Sequence, residues 1–115
     1  MATAFKELNT LILIADTAGS HLTCGSGETI HVQGIMLHNT HSSALTVILY
    51  KVPNSSGSLG TAAAGNQFYE QELAADKTVM INDIPLYLWE ENDSIQAVCG
   101  TASKVNIFIE GAVQT

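Results

Sequence analysis

The feature that most constrains the fold is an alternation of apolar and polar side chains near the C-terminal end of the sequence. From Val105 to Ile109 every second residue is branched and apolar. Because successive side chains of a strand lie on opposite faces of a sheet, this period of two predicts a strand with one face on a core. A second alternating run, Ser94–Cys99, precedes it across the turn Gly100–Ser103. We therefore expect an all-β protein.

Strand-like runs continue along the chain, separated by clusters of glycine, asparagine, aspartate and serine. The predicted strands are Thr10–Ala15, His21–Cys24, Thr29–His38, Leu45–Val52, Phe68–Leu73, Thr78–Ile81, Leu86–Trp89, Ser94–Cys99 and Lys104–Val113. Asn82-Asp83 is predicted as a turn, and Gln71–Lys77, which has a trace of helical period, as a strand end followed by a turn. Eight or nine short strands with this punctuation predict an antiparallel β-sandwich of the jelly-roll type.

The low charge density bears on how the surface is covered. The chain of 115 residues predicts one domain, residues 1–115. Only 13% of the residues are charged, against about 25% in an average soluble domain. Few charges are typical of a subunit that is covered by another molecule, although serine, threonine and asparagine could also keep a monomer soluble. We expect a homo-oligomer or a docked subunit.

The sign of the charge argues against two kinds of partner. Four lysines and no arginine stand against eleven carboxylates, which gives a formal net charge of −7. Because phosphate groups are bound through arginine forks and basic patches, we expect no binding to nucleic acid or to an anionic membrane. The apolar run Leu11–Ala15 is too short for a signal peptide or a membrane span. Synthesis in a cytoplasm would keep Cys24 and Cys99 as reduced core thiols, and whether they pair stays open.

Four histidines within 21 residues raise the question of a metal site. They are His21, His31, His38 and His41. His31 and His38 are an odd number of residues apart, so on a regular strand they face opposite sides. His38 and His41 flank a short turn and could converge, but two histidines without a third ligand make a weak site. We expect hydrogen-bonded turn or interface histidines, and a metal at His38 and His41 remains the alternative.

An acidic turn offers oxygen atoms that could bind calcium. Its carboxylates are Glu90, Glu91 and Asp93, and Asp83 could join them. The spacing of an EF-hand is missing, and turns of this kind are usually solvated. We therefore predict no metal site here.

The motifs of common enzymes are missing from the sequence. It contains no GxSxG, no HExxH and no glycine-rich phosphate loop. The glycines of Gly25-Ser26-Gly27 are predicted to form a turn, because no helix follows them. We predict that the protein is not an enzyme and has no catalytic, cofactor-binding or metal-binding residues.

Tyr87 and Trp89 have the same parity on a predicted strand. Two aromatic rings on one face could form a small platform on which a sugar stacks. Rings of this size are more often core or interface plugs, and we expect that role for both.

Two segments are candidates for contact with a partner. Residues 53–66, PNSSGSLGTAAAGN, are small and uncharged, and they are predicted as an inserted surface loop. The alternative is an ordered arm that lies on a neighbouring subunit, because unstructured loops of this length are often functional. Residues 1–15 form a possible partner-contacting N-terminal segment, whose strand could add to the edge of a partner's sheet.

Four segments together carry a resemblance to a known group of proteins. They are VQGIMLHNT (Val32–Thr40), LTVILYKVP (Leu45–Pro53), LYLWEENDSIQA (Leu86–Ala97) and VNIFIEG (Val105–Gly111). This pattern is similar to small β-sandwich virion proteins encoded among the structural genes of tailed bacteriophages, in which the first two segments form a hairpin. The motifs are structural, so the resemblance brings no active-site residues with it.

The resemblance implies a non-enzymatic structural protein located in the virion. Most directly it implies a capsid decoration (cement) protein that docks on the major capsid protein and stabilises the head shell. The alternative is a neck, tail or fibre-tip module that binds a host receptor or a glycan. We expect a trimer, because capsid lattices offer threefold sites and Leu45–Val52 carries apolar side chains on both faces. With so few cations, attachment should be largely apolar.

Overall fold

The computed structural model describes residues 3–9 and 11–115, and for residues 83–85 it describes the backbone alone. The described residues form eight strands and one 3₁₀ turn, Ala64–Asn66. The strands are β1 (Thr3–Glu7), β2 (Gly19–Thr23), β3 (Thr29–Asn39), β4 (Leu45–Val52), β5 (Gln67–Leu73), β6 (Thr78–Leu88), β7 (Ser94–Cys99) and β8 (Val105–Gln114). Every pairing between these strands is antiparallel. The predicted all-β sandwich is confirmed, and no helix in the described part is long and apolar enough to span a membrane.

The strands form two sheets whose order defines a jelly roll. The first sheet has the order β1-β8-β3-β6 and the second the order β2-β7-β4-β5. The antiparallel pairs β4–β5, β3–β6, β2–β7 and β1–β8 are nested around one another, as in a long hairpin that is rolled up. The contacts β3–β8 and β4–β7 complete the two sheets. This connectivity confirms the predicted jelly-roll type.

The alternation in β8 sets one face of the first sheet against the core. Val105, Ile107 and Ile109 are fully buried, and Glu110 is exposed. Apolar side chains from both sheets pack against them, because every second residue of a strand points toward the space between the two sheets. The core between the two sheets is therefore the one that the sequence predicts.

The predicted turn at Asn82-Asp83 is wrong. The two strands expected on either side of it are one continuous strand, β6, which pairs with β3 on both sides of residues 83–85. The register shifts where Val32 and Gly34 of β3 face Leu86 and Asn82 of β6, so β6 holds the extra residues as a bulge. β6 is an edge strand, where polar residues and a proline are tolerated.

The first two segments of the resemblance do not form a hairpin. β3 lies between β8 and β6 in the first sheet, and β4 lies between β7 and β5 in the second. The turn between them carries the chain from one sheet to the other. Each strand obtains its hydrogen bonds from partners far away in the sequence, which is why a local pattern does not reveal the pairing.

The N-terminal strand lies earlier than predicted. β1 is formed by Thr3–Glu7. The strand was predicted at residues 10–15, of which residue 10 lies outside the described part. Among residues 11–15 only Leu13 forms a β-bridge, with Asn106. Between β1 and Leu13, the side chain of Asn9 makes hydrogen bonds to the backbone of β8. Its amide donates to the carbonyl oxygen of Ile107 at 2.9 Å, and its oxygen accepts from the nitrogen of Ile109 at 2.9 Å. The N-terminal segment thus pairs with β8 of its own chain.

Candidate functional site

Several large apolar side chains are exposed on the described surface. They are Phe5, Leu11, Ile12, Leu13, Leu59, Phe68, Met80 and Trp89. They fall in three places: the outer face of the first sheet, the segment between β1 and β2, and the long loop together with the start of β5, which follows it. Exposed apolar side chains that lie close together mark contact surfaces.

An aromatic row crosses the outer face of the first sheet. The strand register places Phe5 of β1 opposite Ala112 of β8, Ala112 opposite His31 of β3, and His31 opposite Tyr87 of β6. The ring of His31 stacks on that of Tyr87 at a centroid distance of 4.4 Å, and Tyr87 stacks on Trp89 at 4.8 Å. The interplanar angles are 11° and 17°, so the three rings form one parallel stack. Residues from four regions of the sequence meet in this row.

The exposure of Trp89 corrects part of the sequence prediction. Its side chain is 61% exposed, so Trp89 is not a core plug, and an interface role stays a prediction. Tyr87 is partly exposed beside it. Leu86 and Leu88, of opposite parity, are buried. Two leucines on the alternate positions were the signal in the sequence that Tyr87 and Trp89 face outward.

A cleft of about 260 Å³ opens between the wall formed by Phe5 and the stack that begins at His31. Ala112 lies between these two walls, and its small side chain leaves the space open. Uncharged polar residues complete the lining: Thr3, Thr29, Gln33 and Gln114. Sequence reasoning missed Phe5 and Ala112, because only the register of three strands brings them beside His31.

The second exposed group is the segment Leu11–Leu13, which the structure holds beside β8. The carbonyl oxygen of Ile12 accepts a hydrogen bond from the nitrogen of Ile107 at 2.8 Å, and the nitrogen of Ile14 donates to Val105 at 2.9 Å. The side chains of Leu11, Ile12 and Leu13 are 51%, 40% and 44% exposed. An ordered backbone therefore presents three consecutive apolar side chains to solvent.

The long loop, residues 53–66, is fastened to its own domain. The side chain of Asn92 donates to Gly57 at 2.8 Å, and that of Gln96 donates to Gly60 at 2.9 Å. A bridge between Ser55 and Ser58 closes its tip. The loop carries Leu59, which is 49% exposed. These bonds order residues 53–66 against the chain's own domain. The contact of this loop with a neighbour stays a prediction.

The four histidines occupy separate environments. His21 is buried and its Nδ1 donates to the carbonyl oxygen of Leu11 at 2.7 Å. His38 bonds the hydroxyl of Thr78, and Nδ1 of His41 accepts from the nitrogen of Ser43. The remaining one, His31, belongs to the aromatic stack. Among the described residues, no group of three or more His, Cys, Asp or Glu is placed to hold a metal ion.

In the acidic turn, both carboxylate oxygens of Asp93 accept hydrogen bonds from N–H groups of the protein. Its Oδ2 accepts hydrogen bonds from the backbone nitrogens of Trp89 and Glu90 at 3.3 and 3.1 Å. Its Oδ1 accepts from Asn54. The turn is thus built around Asp93, and this carboxylate has a structural role.

The two cysteines are buried, free thiols in agreement with the prediction. Sγ of Cys24 donates to the carbonyl oxygen of Glu28 at 3.3 Å, and Sγ of Cys99 donates to that of Thr101 at 3.0 Å. Burial raises the pKa of both thiols, which keeps them protonated and unreactive.

Comparison of the chain with protein-family models and with curated proteins gave no match. The function must therefore be argued from the surfaces described above and from the resemblance of its four segments. The exposed features described above are apolar and aromatic.

Proposed function

We propose that the protein is a non-enzymatic structural protein of a bacteriophage virion and decorates the outside of the head shell. In this role the jelly roll docks on the major capsid protein and stabilises the shell as a cement subunit. It does so as a trimer at threefold or quasi-threefold positions of the lattice. The protein is made in the cytoplasm of the bacterial host and is then incorporated into the virion.

The observation that carries this proposal is the exposed segment Leu11–Leu13. Its backbone is fixed by hydrogen bonds to β8, so little ordering entropy would be lost when the leucines meet a partner. The second sheet offers a further surface, because Ile48 and Tyr50 are partly exposed on its outer face. A trimer contact there would bury them.

The fold agrees with the proposal but does not select it. Jelly rolls are common in viral capsid proteins, and they also occur in lectins and cupins. The resemblance of Val32–Thr40, Leu45–Pro53, Leu86–Ala97 and Val105–Gly111 to virion proteins favours the first of these classes.

Binding to heads tests the proposal. Purified protein is mixed with expanded empty heads of the phage that encodes it, and occupancy and the melting temperature of the heads are measured. We expect saturable binding and a higher melting temperature. Binding should survive high salt, because screening weakens exposed charge contacts and leaves apolar burial intact. Release of the protein at moderate salt would contradict an apolar attachment.

A matched pair of variants locates the docking surface. The double substitution Leu11→Ser and Leu13→Ser removes apolar surface from exposed positions, so it should lower occupancy at least tenfold without unfolding the sandwich. Met80→Ser is the control, because Met80 is 64% exposed but lies on the outer face of the first sheet. Equal occupancy of both variants would reject the segment as the docking site. A strictly monomeric mass in solution, together with isolated copies on the virion, would reject the trimer.

A second candidate function is a neck, tail or fibre-tip module that binds a host receptor or a glycan. The exposed stack of His31, Tyr87 and Trp89 favours it, because stacked rings on a rigid sheet form a platform for flat ligands. This module would leave empty heads unoccupied and would bind to host cells or to their surface glycans.

A further inference from the structure

The aromatic row on the first sheet has a gap of one ring. The stack of Trp89, Tyr87 and His31 ends where the row reaches Ala112, and the next large side chain is Phe5. Neighbouring strands lie about 4.8 Å apart, so Phe5 and His31, two strands apart, are separated by roughly 9–10 Å. This is about twice the stacking distances of 4.4 and 4.8 Å inside the stack. One further ring would fit between them at normal contact distance.

The free face of His31 is directed into this gap. The centroid distance of 4.4 Å between His31 and Tyr87 nearly equals the spacing of the strands that carry them, so the stack runs across the sheet. One face of the His31 ring is covered by Tyr87, and the other is turned toward Ala112. The rings of His31 and Tyr87 line the same cleft of about 260 Å³ as Ala112. The cleft lies just under the usual size range for drug-sized ligands, roughly 300–1,000 Å³, and suits a single ring.

We propose that this cleft binds one neutral sugar ring, stacked between Phe5 and His31 over Ala112. Sugar rings present C–H groups on their faces and hydroxyls around their edge. The two walls supply apolar contact for the faces. Thr29 and Gln33, two residues before and after His31 on the same face of β3, supply hydrogen-bonding groups for the hydroxyls.

The charges around the cleft select among ring-shaped ligands. Glu7 and Glu110 face each other in the next row of the sheet, beside Phe5 and Gln33. These two carboxylates outnumber Lys6, which lines the same recess, so they disfavour a nucleotide, a phosphosugar or an acidic sugar. The net charge of −7 adds to this repulsion. An aromatic side chain of a partner protein would fill the gap, but it would not use the hydrogen-bonding groups of Thr29 and Gln33. A neutral sugar would contact the ring walls with its faces and the polar side chains with its hydroxyls.

The sugar site goes beyond docking on a head and names the ligand class for the second candidate function. The cleft on the first sheet is formed by residues other than Leu11 and Leu13. Sugar binding by the purified protein and occupancy on heads are therefore separate measurements, and either one can fail without the other.

The test begins with an array of neutral monosaccharides and oligosaccharides, with sialylated and phosphorylated glycans and aromatic peptides as comparators. We expect binding to at least one neutral sugar, weaker binding to its acidic derivatives, and chemical-shift changes at His31 and Ala112 in the complex. No neutral sugar bound at millimolar concentration would overturn the proposal. Preference for an acidic glycan or for an aromatic peptide would also overturn it.

Two variants and one control locate the site. Phe5→Ala removes the side chain that forms one wall of the cleft and should weaken binding about twofold to twelvefold, the range expected for the loss of one ring contact. Ala112→Leu fills the gap and should abolish binding. Met80→Ala removes a side chain of similar exposure elsewhere on the same face and should leave binding unchanged. If Ala112→Leu does not fold, Phe5→Ala decides: unchanged affinity in that variant would overturn the assignment to this cleft.

Discussion

Asn54 and Asp93 are joined by two hydrogen bonds, although 39 residues separate them. Oδ1 of Asp93 accepts from the backbone nitrogen of Asn54 at 2.9 Å and from its side-chain amide at 3.2 Å. The long loop begins at this contact and the acidic turn ends there. One carboxylate thus connects the loop to the start of β7.

The first prediction concerns the removal of this charge. In Asp93→Asn one carboxylate oxygen becomes an NH₂ group, which faces backbone donors on either side and leaves at least one of them without an acceptor. We expect a loss of about 1–3 kcal/mol in the free energy of unfolding, measured by urea denaturation. Glu91→Gln is the control, because it removes the same charge from an exposed position in the same turn. An equal loss of unfolding free energy in both variants would show that the negative charge of the turn matters and that the hydrogen bonds to Asp93 do not.

Asp93 should also contribute to stability in acid. Burial tends to raise its pKa, but the hydrogen bonds from the Asn54 backbone and side chain and from the backbones of Glu90 and Trp89 outweigh this and leave the pKa lowered. A carboxyl group with a lowered folded-state pKa stabilises the fold above its unfolded-state pKa, about 3.9, and loses this contribution as the pH falls. The melting temperature of Asp93→Asn should therefore depend less on pH below about 4 than that of the natural protein.

His21 predicts a second pH dependence, at milder acidity. Burial lowers the pKa of His21, and the hydrogen bond to the Leu11 carbonyl opposes this effect only in part. The unfolded chain therefore takes up a proton more readily than the folded one, so stability is complete above about pH 6.5 and declines as the pH falls below it. His21→Gln, which keeps a donor without titrating, should flatten the curve between pH 7 and 5. His38→Gln is the control, and an equal flattening there would refute the assignment to His21.

The core prediction concerns Ile107, which is fully buried. Ile107→Ala should cost about 2–5 kcal/mol, because the lost transfer free energy adds to that of the cavity. Ile107→Val removes a single methyl group and should cost about 0.5–1.5 kcal/mol. Denaturant midpoints of the two variants give the comparison. Unchanged midpoints in both would mean that the inner face of β8 has been assigned to the wrong residues.

Gly111 is expected to tolerate no side chain. A Cβ atom there would collide with the carbonyl oxygen of His31 and would lie 3.0 Å from the nitrogen of Gln33, where β3 is irregular. Gly111→Ala should destabilise the protein by about 1–3 kcal/mol. Gly19→Ala is the matched control, because no atom lies within 4 Å of the added carbon. A melting temperature for Gly111→Ala equal to that of Gly19→Ala would contradict the close approach.

Most strands could be predicted from the sequence, whereas the first strand, β1, could not. The bounds of β4 and β7, Leu45–Val52 and Ser94–Cys99, match the prediction because alternation and turn residues define both ends. β1 was missed because all of its residues are exposed, so no apolar period marks it. Its position depends on the hydrogen bonds of β8 and on the side chain of Asn9.

The candidate site shows the same limit. The parity of Tyr87 and Trp89 was visible in the sequence, but their exposure was not inferred from it. The cleft needs the register of Phe5, Ala112 and His31 across three strands, and no local pattern encodes that register. Pairings between distant segments are decided by the packing of the whole sandwich.

The pairing of Thr3 with Gln114 has a practical consequence for anyone who works with the molecule. Both residues also line the cleft over Ala112. A purification tag or a fused reporter joined close to Thr3 or Gln114 would lie near that opening and could cover it. Binding experiments therefore call for cleavable tags, and a peptide displayed on the protein is better inserted at Ser56-Gly57, in the hairpin-like tip closed by Ser55 and Ser58.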